Sequence, residues 1–183
     1  VEGATGTHDR ALQGLISLKT IELPDTLTSI THNVFKDCSA LENITLPKNL
    51  KSLGYSVFNG CTSLTSLDVP GTVDIISAIT FEGSSIKEIK LNEGTTSIVD
   101  AFSEYTPLEK IYIPDSVTSI DEYAFMYTPD VIIIANDGSY ALEYAMLNGL
   151  NFEVVEIPKI VQTEGLEAFT DVQINVGESI ELP

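Results

Sequence analysis

Two histidines and two cysteines are the side chains of this 183-residue chain whose types most often carry chemistry. His8 lies near the beginning of the sequence, and His32 lies in a short variable segment between Ile30 and Phe35. Neither belongs to an H-E-x-x-H, G-x-S-x-G, P-loop or G-x-G-x-x-G pattern, in which metalloproteases, serine hydrolases and nucleotide-binding proteins hold their functional groups. The sequence therefore predicts solvent-exposed histidines without a catalytic role.

Cys38 and Cys61 lie 23 residues apart, and each follows a phenylalanine by three residues. Equivalent side chains of stacked, parallel chain segments lie about one strand spacing apart and point the same way. A disulfide needs β-carbons that converge, so we predict two free, buried thiols that pack as small hydrophobic groups; a disulfide is the alternative. Two cysteines without a neighbouring histidine also provide too few ligands for a zinc site.

Carboxylates are the remaining candidates for catalysis, because polysaccharide-cleaving enzymes use pairs of them. At the solvent-facing positions of the predicted strands, no column of equivalent residues places two carboxylates side by side. Opposite charges meet there instead, and the predicted ion pairs are Lys19–Glu42, Lys87–Glu109 and Glu88–Lys110. We therefore predict a protein that is not an enzyme, with no catalytic residue, metal or cofactor; a polysaccharide-active enzyme of the β-helix type is kept as an alternative.

The formal charge of the chain is −18, from nine basic and 27 acidic side chains. Such a chain repels phosphate backbones, so we predict that it binds no nucleic acid. No apolar run approaches the roughly 18 residues of a membrane span, so we predict no direct membrane insertion. Because 43% of the residues are hydrophobic, the chain can nevertheless bury a substantial core.

One group of solvent-facing positions combines lysines, carboxylates and a tyrosine in this otherwise acidic chain. Its members are Lys87, Glu88, Lys90, Glu109, Lys110 and Tyr112. We call this group the mixed-charge patch. Exposed tyrosine and clustered charges on a rigid sheet suit recognition, so the patch is the candidate partner-contact site. A salt-bridged strand face that binds nothing is the alternative.

A repeat of about 23 residues must position all of these side chains. Its phenylalanines are Phe35, Phe58, Phe81, Phe102 and Phe125, at intervals of 23, 23, 21 and 23. An apolar trio runs in step: Leu18-Ile21-Leu23, Leu41-Ile44-Leu46, Leu64-Leu67-Val69, Ile86-Ile89-Leu91 and Leu108-Ile111-Ile113. One unit cannot bury its own apolar side chains, whereas stacked units share a continuous core. Five copies at one period therefore predict a solenoid.

The pattern L-x-x-I-x-L within each unit alternates as a strand does, so neighbouring units should pair into a parallel sheet. Proline follows four of the five trios and would end the ladder, because it has no N–H to donate; Asn92 replaces it in the fourth unit. Counting from the phenylalanines, Ser84, Tyr105 and Thr128 occupy the position of the two cysteines.

The segments "LTSITHNVFKDCSALENITLP" and "VTSIDEYAFMYTPDV" resemble the leucine-rich repeats of the BspA-like, or Treponema pallidum-type, class. The resemblance implies an α/β-type repeat solenoid that is mainly β, a right-handed stack of coils with a short C-terminal capping helix. Proteins of this class are secreted or lie on the cell surface of host-associated bacteria and some protozoa. The resemblance therefore implies an extracellular or cell-surface location.

We predict three segments. Residues 1–11 read as an N-terminal fragment or tail, and residues 12–155 as the solenoid with its cap. In the cap, a strand at Val131–Ala135 precedes a helix over about 139–147, which Ser139 would N-cap, and a second strand follows at Phe152–Val155. Residues 156–183 read as a linker and the beginning of a β module, of immunoglobulin-like type. Both ends read as cut from a longer chain.

These features predict a non-enzymatic secreted or cell-surface interaction module that binds a protein or a glycan, from a host or from bacteria, in the manner of an adhesin. The alternative is a spacer, which projects other modules from the surface and has no ligand of its own. A saturable ligand would distinguish the two.

Overall fold

The computed structural model describes residues 3–100, 102 and 105–155, which wind as a parallel solenoid of about six turns with one short helix near the end. In chain order the elements are β1 (Thr20–Glu22), β2 (Ser29–Ile30), β3 (Asn43–Thr45), β4 (Ser52–Leu53), β5 (Ser66–Val69), β6 (Ile75–Ser77), a 3₁₀ turn (Ala78–Phe81), β7 (Glu88–Leu91), β8 (Ser97–Val99), β9 (Lys110–Tyr112), β10 (Ser119–Ile120), β11 (Ile132–Ala135), α1 (Tyr140–Leu147) and β12 (Asn151–Val154).

Each coil has three sides. The apolar trio provides the strand of the first side, a shorter strand such as β2 forms the second, and the loop with the phenylalanine forms the third. Complete coils 1–5 begin at Leu18, Leu41, Leu64, Ile86 and Leu108.

The predicted parallel pairing is confirmed. On the first side β1 pairs with β3, and β5, β7, β9, β11 and β12 form one five-stranded sheet. On the second side β2 pairs with β4, and β6, β8 and β10 form a three-stranded sheet. Apolar residues align in register, as Ile89 does with Leu67 and Ile111, because a shift by one residue would turn each strand's apolar side chains to solvent.

The ladder is interrupted between coils 2 and 3, which the repeat pattern does not predict. Neither β3 and β5 nor β4 and β6, all within the described residues, pair with each other. Ile44 and Leu53, at the coil 2 edge of this gap, are only partly buried. The third side holds the two coils together, where the N–H of Phe58 donates to the carbonyl of Thr80 at 3.3 Å.

The core is built around a column of phenylalanine rings. Phe35, Phe58, Phe81, Phe102 and Phe125 stack with ring centroids 5.9, 6.3, 6.0 and 5.3 Å apart. Tyr144 of α1 closes the column edge-on at 6.1 Å, and its hydroxyl donates to the carbonyl of Asp121 at 3.0 Å. Repeating one phenylalanine per coil therefore produces a continuous aromatic column, closed by the cap.

The two cysteines are free and buried, as predicted. The thiol of Cys38 donates to the carbonyl of Leu12 at 3.2 Å, and that of Cys61 donates to the carbonyl of Phe35 at 3.1 Å. In each case the acceptor belongs to the preceding coil. A small donor at this position therefore links each coil to the preceding one through a hydrogen bond to a backbone carbonyl.

In coil 4 this position belongs to Thr106, so the alignment of Tyr105 with the cysteines is wrong. The Thr106 side chain is buried and donates to the carbonyl of Phe81 at 3.4 Å, whereas Tyr105 is exposed. The segment from Ile86 to Phe102 is one residue shorter than its equivalents in coils 1–3, and the buried side chain follows Phe102 by four residues instead of three, so that counting from Phe102 misses it by one.

Burial raises the pKa of the Cys61 thiol from 9.0 to about 12. Between these values the unfolded chain releases a proton that the folded chain keeps, so the stability from the neutral buried thiol is present below pH 9 and is lost as the pH rises toward 12. Serine does not titrate in this range. We therefore expect the stability of the wild type relative to Cys61→Ser to fall over this interval, as measured by urea denaturation at several pH values. A constant difference would contradict the assignment.

The described part of the segment that we predicted to be a tail hydrogen-bonds to coil 1. The N–H groups of Arg10 and Leu12 donate to the carbonyls of His32 and Val34 at 3.0 and 3.2 Å. These bonds have the register of the neighbouring coils, so residues 3–11 pack as an incomplete coil. The domain boundaries themselves stay predictions.

The cap contains the predicted helix between two strands. The Ser139 side chain accepts from the Leu142 N–H at 3.2 Å, and Gly149 takes a φ of 65° just beyond the helix. The predicted linker and immunoglobulin-like segment, residues 156–183, lies outside the described residues. Among the residues that are described, no helix is both long and apolar enough to cross a membrane.

Candidate partner-contact surface

Strands β7 and β9 bring four residues of the mixed-charge patch together. In the register of this parallel pair Glu88 lies opposite Lys110, and Lys90 lies opposite Tyr112. Because side chains alternate along a strand, these four point away from the core while the isoleucines between them are buried. Tyr112 and Lys110 are half-buried, and Glu88 and Lys90 are exposed.

The other two members, Lys87 and Glu109, directly precede the two strands and form an ion pair of 2.7 Å. The predicted pair between Lys19 and Glu42 is also present, at 3.3 Å. These pairs are exposed, so each contributes only about 0–1 kcal/mol.

The third predicted ion pair, Glu88–Lys110, is not formed. Among the described residues no ion pair involves Lys110, although register places it beside Glu88. The ammonium of Lys90 instead lies 3.9 Å from Asp68 of β5, a contact that the sequence analysis did not name. Lys110 therefore keeps its charge available beside the half-buried Tyr112.

Two isoleucines of β11 border the patch and were also missed. Ile132 lies opposite Lys110, and Ile134 lies opposite Tyr112. Ile132 is partly buried and Ile134 is buried. Extending the columns of solvent-facing positions by one unit would have found both. The surface thus changes from acidic at Asp68 to mixed charge on β7 and β9, and on β11 the partly exposed Ile132 follows.

The histidines lie elsewhere and are exposed. The His32 ring stacks on Tyr55 with centroids 4.9 Å apart, and its Nδ1 accepts from the Tyr55 N–H at 2.9 Å. This nitrogen is therefore already occupied by a backbone donor. Within the described ranges no three His, Cys, Asp or Glu side chains are arranged to hold a metal ion.

Comparison with known proteins identifies the repeat. A family model described as the BspA type leucine rich repeat region matches six copies over residues 6–132, which is more than half of the chain. No curated protein matches the chain.

Similar solved structures include a leucine rich cell surface protein from Faecalibacterium prausnitzii A2-165 (30% identity, 82% of this chain and 33% of that one, TM-score 0.47). Others are the leucine rich repeat protein of T. pallidum (23% identity, 73% and 54%, TM-score 0.47) and one from Bacteroides ovatus ATCC 8483 (21% identity, 64% and 37%, TM-score 0.45). The chain spans between a third and about half of the length of these proteins. With six matching copies of the repeat, the chain belongs to the BspA-type leucine-rich repeat family.

Proposed function

We propose that this chain is a non-enzymatic interaction module of a secreted or cell-surface protein, and that it binds a protein or glycan partner through the mixed-charge patch. The family supports the location, because BspA-type repeats are associated with cell surfaces. Partner binding is supported by the arrangement of the side chains on β7 and β9.

The observation that carries the proposal is the position of Tyr112 beside Lys90, on the outer face and in the register of one continuous sheet. Half-buried by its neighbours, the tyrosine has less conformational freedom to lose when a partner binds. Tyrosine also provides a large contact area with a polar end, which suits the centre of an interface.

Electrostatics favours an acidic or neutral group on the partner at this point. The chain carries a formal charge of −18, and the patch contains three of its nine basic side chains. Lys87 and Lys90 face carboxylates at 2.7 and 3.9 Å, which leaves Lys110 as the cation most available for a partner. An acidic side chain of a protein or a uronic acid of a glycan would match it.

The experiment is a binding screen of the purified chain against host matrix proteins and host or bacterial glycans at physiological salt. For any saturable ligand, we expect the double variant Tyr112→Ala with Lys110→Glu to weaken binding at least about tenfold, because it removes the anchor and reverses the free charge. We expect the melting temperature to stay unchanged, because neither side chain is part of the core.

A matched control lies three coils away. Asn43 and Thr45 occupy on β3 the same register positions as Lys110 and Tyr112 on β9, and both are exposed. Asn43→Glu with Thr45→Ala should leave affinity unchanged. Equal losses in the two double variants, or none in the patch variant, would count against the patch as the contact site.

The spacer is the second candidate, and the regularity of the stack favours it. Every buried side-chain nitrogen or oxygen among the described residues has a hydrogen-bond partner, so no buried polar group in that part of the chain is left for a ligand to satisfy. If the folded chain binds nothing in the screen, the spacer becomes the better description.

A further inference from the structure

A second surface, on the third side of coils 4 and 5, carries exposed aromatic and apolar side chains. Its members are Tyr105, Tyr123, Met126 and Tyr127, with exposed fractions of 71%, 57%, 54% and 50%. We call this group the tyrosine patch. It is separate from the mixed-charge patch, because the latter lies on the first side of the solenoid.

The fold does not require these side chains. The residues at the position of Tyr123 in coils 1–4 are Asn33, Ser56, Ile79 and Asp100. At the position of Met126 the residues in coils 1–3 are Lys36, Asn59 and Glu82, and at that of Tyr127 they are Asp37, Gly60 and Gly83. Only Ile79 among these ten has an apolar side chain. The last complete coil thus exposes apolar area where the repeat otherwise places polar residues or glycine, which marks an interaction surface.

Tyr105 and Tyr127 lie on the same side of two neighbouring coils. The Phe102 N–H donates to the carbonyl of Ala124 at 2.8 Å, which aligns coils 4 and 5 on this side. Each of the two tyrosines directly precedes the buried threonine of its coil. Both tyrosines therefore lie in the loops of the third side, in neighbouring coils, and both side chains are exposed.

The surroundings of the patch are acidic. Residues 111–155 contain no lysine or arginine, and their carboxylates are Asp115, Asp121, Glu122, Asp130, Asp137, Glu143 and Glu153. Asp121, Glu122 and Asp130 flank the patch in sequence and are exposed. The hydrogen bond with the Glu122 carboxylate raises the pKa of the Tyr123 hydroxyl further above physiological pH, at which the hydroxyl is neutral.

We propose that the tyrosine patch binds a basic segment of a partner protein, with arginine or lysine side chains placed over the tyrosine rings and paired with Asp121, Glu122 and Asp130. Tyrosine faces attract cations, and the flanking carboxylates supply the complementary charge. Met126 adds a flexible apolar contact that adapts to the aliphatic part of a long basic side chain. A neutral glycan would use the rings but would leave three carboxylates without a role.

The test uses the whole chain and a labelled peptide of alternating arginine and serine at physiological salt, with the same peptide containing citrulline as the uncharged control. Fluorescence anisotropy should show tighter binding of the arginine peptide, by about tenfold. Tyr123→Ser with Tyr127→Ser should weaken that binding by about tenfold, while Tyr123→Phe with Tyr127→Phe should keep most of it, because the rings remain. Circular dichroism should show that all variants are folded.

A distant control variant tests whether the arginine peptide is attracted to the acidic chain in general. Glu22→Gln with Asp25→Asn removes two carboxylates in coil 1, and it should leave the affinity within about a factor of two. The proposal is overturned if this control weakens binding as much as the serine variant does, if the serine variant binds normally, or if the wild type does not distinguish the two peptides. It is also overturned if the chain binds neutral oligosaccharides through these tyrosines and does not bind the arginine peptide.

Discussion

Phe58→Ala is expected to lower the free energy of unfolding by about 3–5 kcal/mol, the range for removing a large aromatic side chain from a core. Phe58 is fully buried, and its ring stacks between Phe35 at 5.9 Å and Phe81 at 6.3 Å. Alanine would leave a cavity across which the column could not close, because the backbones on either side are held at a fixed spacing by hydrogen bonds. The third side is also the only side whose backbone hydrogen bonds join coils 2 and 3 among the described residues.

Urea denaturation followed by far-ultraviolet circular dichroism measures this loss. Phe152→Ala on β12 is the matched control, since Phe152 is 40% exposed, and we expect it to cost about 1 kcal/mol or less. The loss in the free energy of unfolding for Phe58→Leu should lie between those of the two alanine variants, because leucine keeps most of the buried volume. Similar losses for Phe58→Ala and Phe152→Ala would mean that the aromatic column does not dominate the core.

Gly71→Ala is expected to cost about 3 kcal/mol or more through steric overlap. A β-carbon at Gly71 would overlap the backbone oxygen of Glu93 and lie 2.5 Å from its carbonyl carbon. Glu93 cannot easily move, because its carboxylate accepts from the N–H groups of Asp115 at 3.1 Å and Ser116 at 3.3 Å. Any shift would therefore also disturb the turn of coil 5.

Gly138→Ala separates steric overlap from backbone strain. A β-carbon at Gly138 meets nothing within 4 Å, but its φ of 76° is unfavourable for alanine, so this variant should cost only about 1–2 kcal/mol. The measurement is again the free energy of unfolding in urea. If Gly71→Ala were no more destabilising than Gly138→Ala, the close approach of the two turns would not be a real constraint on the stack.

The core could be predicted from the sequence, because a phenylalanine and an apolar trio repeat at one period. A stack of coils is one of the few arrangements that buries all of these side chains together. The position of Tyr105 shows the limit of counting residues. Its alignment with the cysteines was wrong because the buried side chain of coil 4 follows Phe102 by four residues, whereas the cysteines follow Phe35 and Phe58 by three. Burial and hydrogen bonding identify Thr106 instead, since its side chain lies inside the coil and donates to the carbonyl of Phe81.

Register explains which parts of the mixed-charge patch could be predicted. Strand alternation and the period place Lys90 beside Tyr112 without any knowledge of side-chain torsions. Whether Lys110 then pairs with Glu88 depends on the rotamers of two long side chains, which the period does not determine. The interrupted ladder could not be predicted either. The spacing from Leu41 to Leu64, across the gap, equals the spacing from Leu18 to Leu41, where the strands do pair.

The interrupted ladder has a consequence for cooperativity. A solenoid resembles a row of units in which stability depends on each unit and on its coupling to the next one. Coupling across the gap relies on the third side, the phenylalanine stack and the hydrogen bond from the Thr72 hydroxyl to the carbonyl of Lys48, without strand pairing on the other two sides. Residues 3–63 and 64–155 should therefore behave as two cooperative units, here called the first and the second block. The interface between the two blocks can open before either of them unfolds. The mixed-charge patch and the tyrosine patch both belong to the second block, so the loss of the first would leave both surfaces in place.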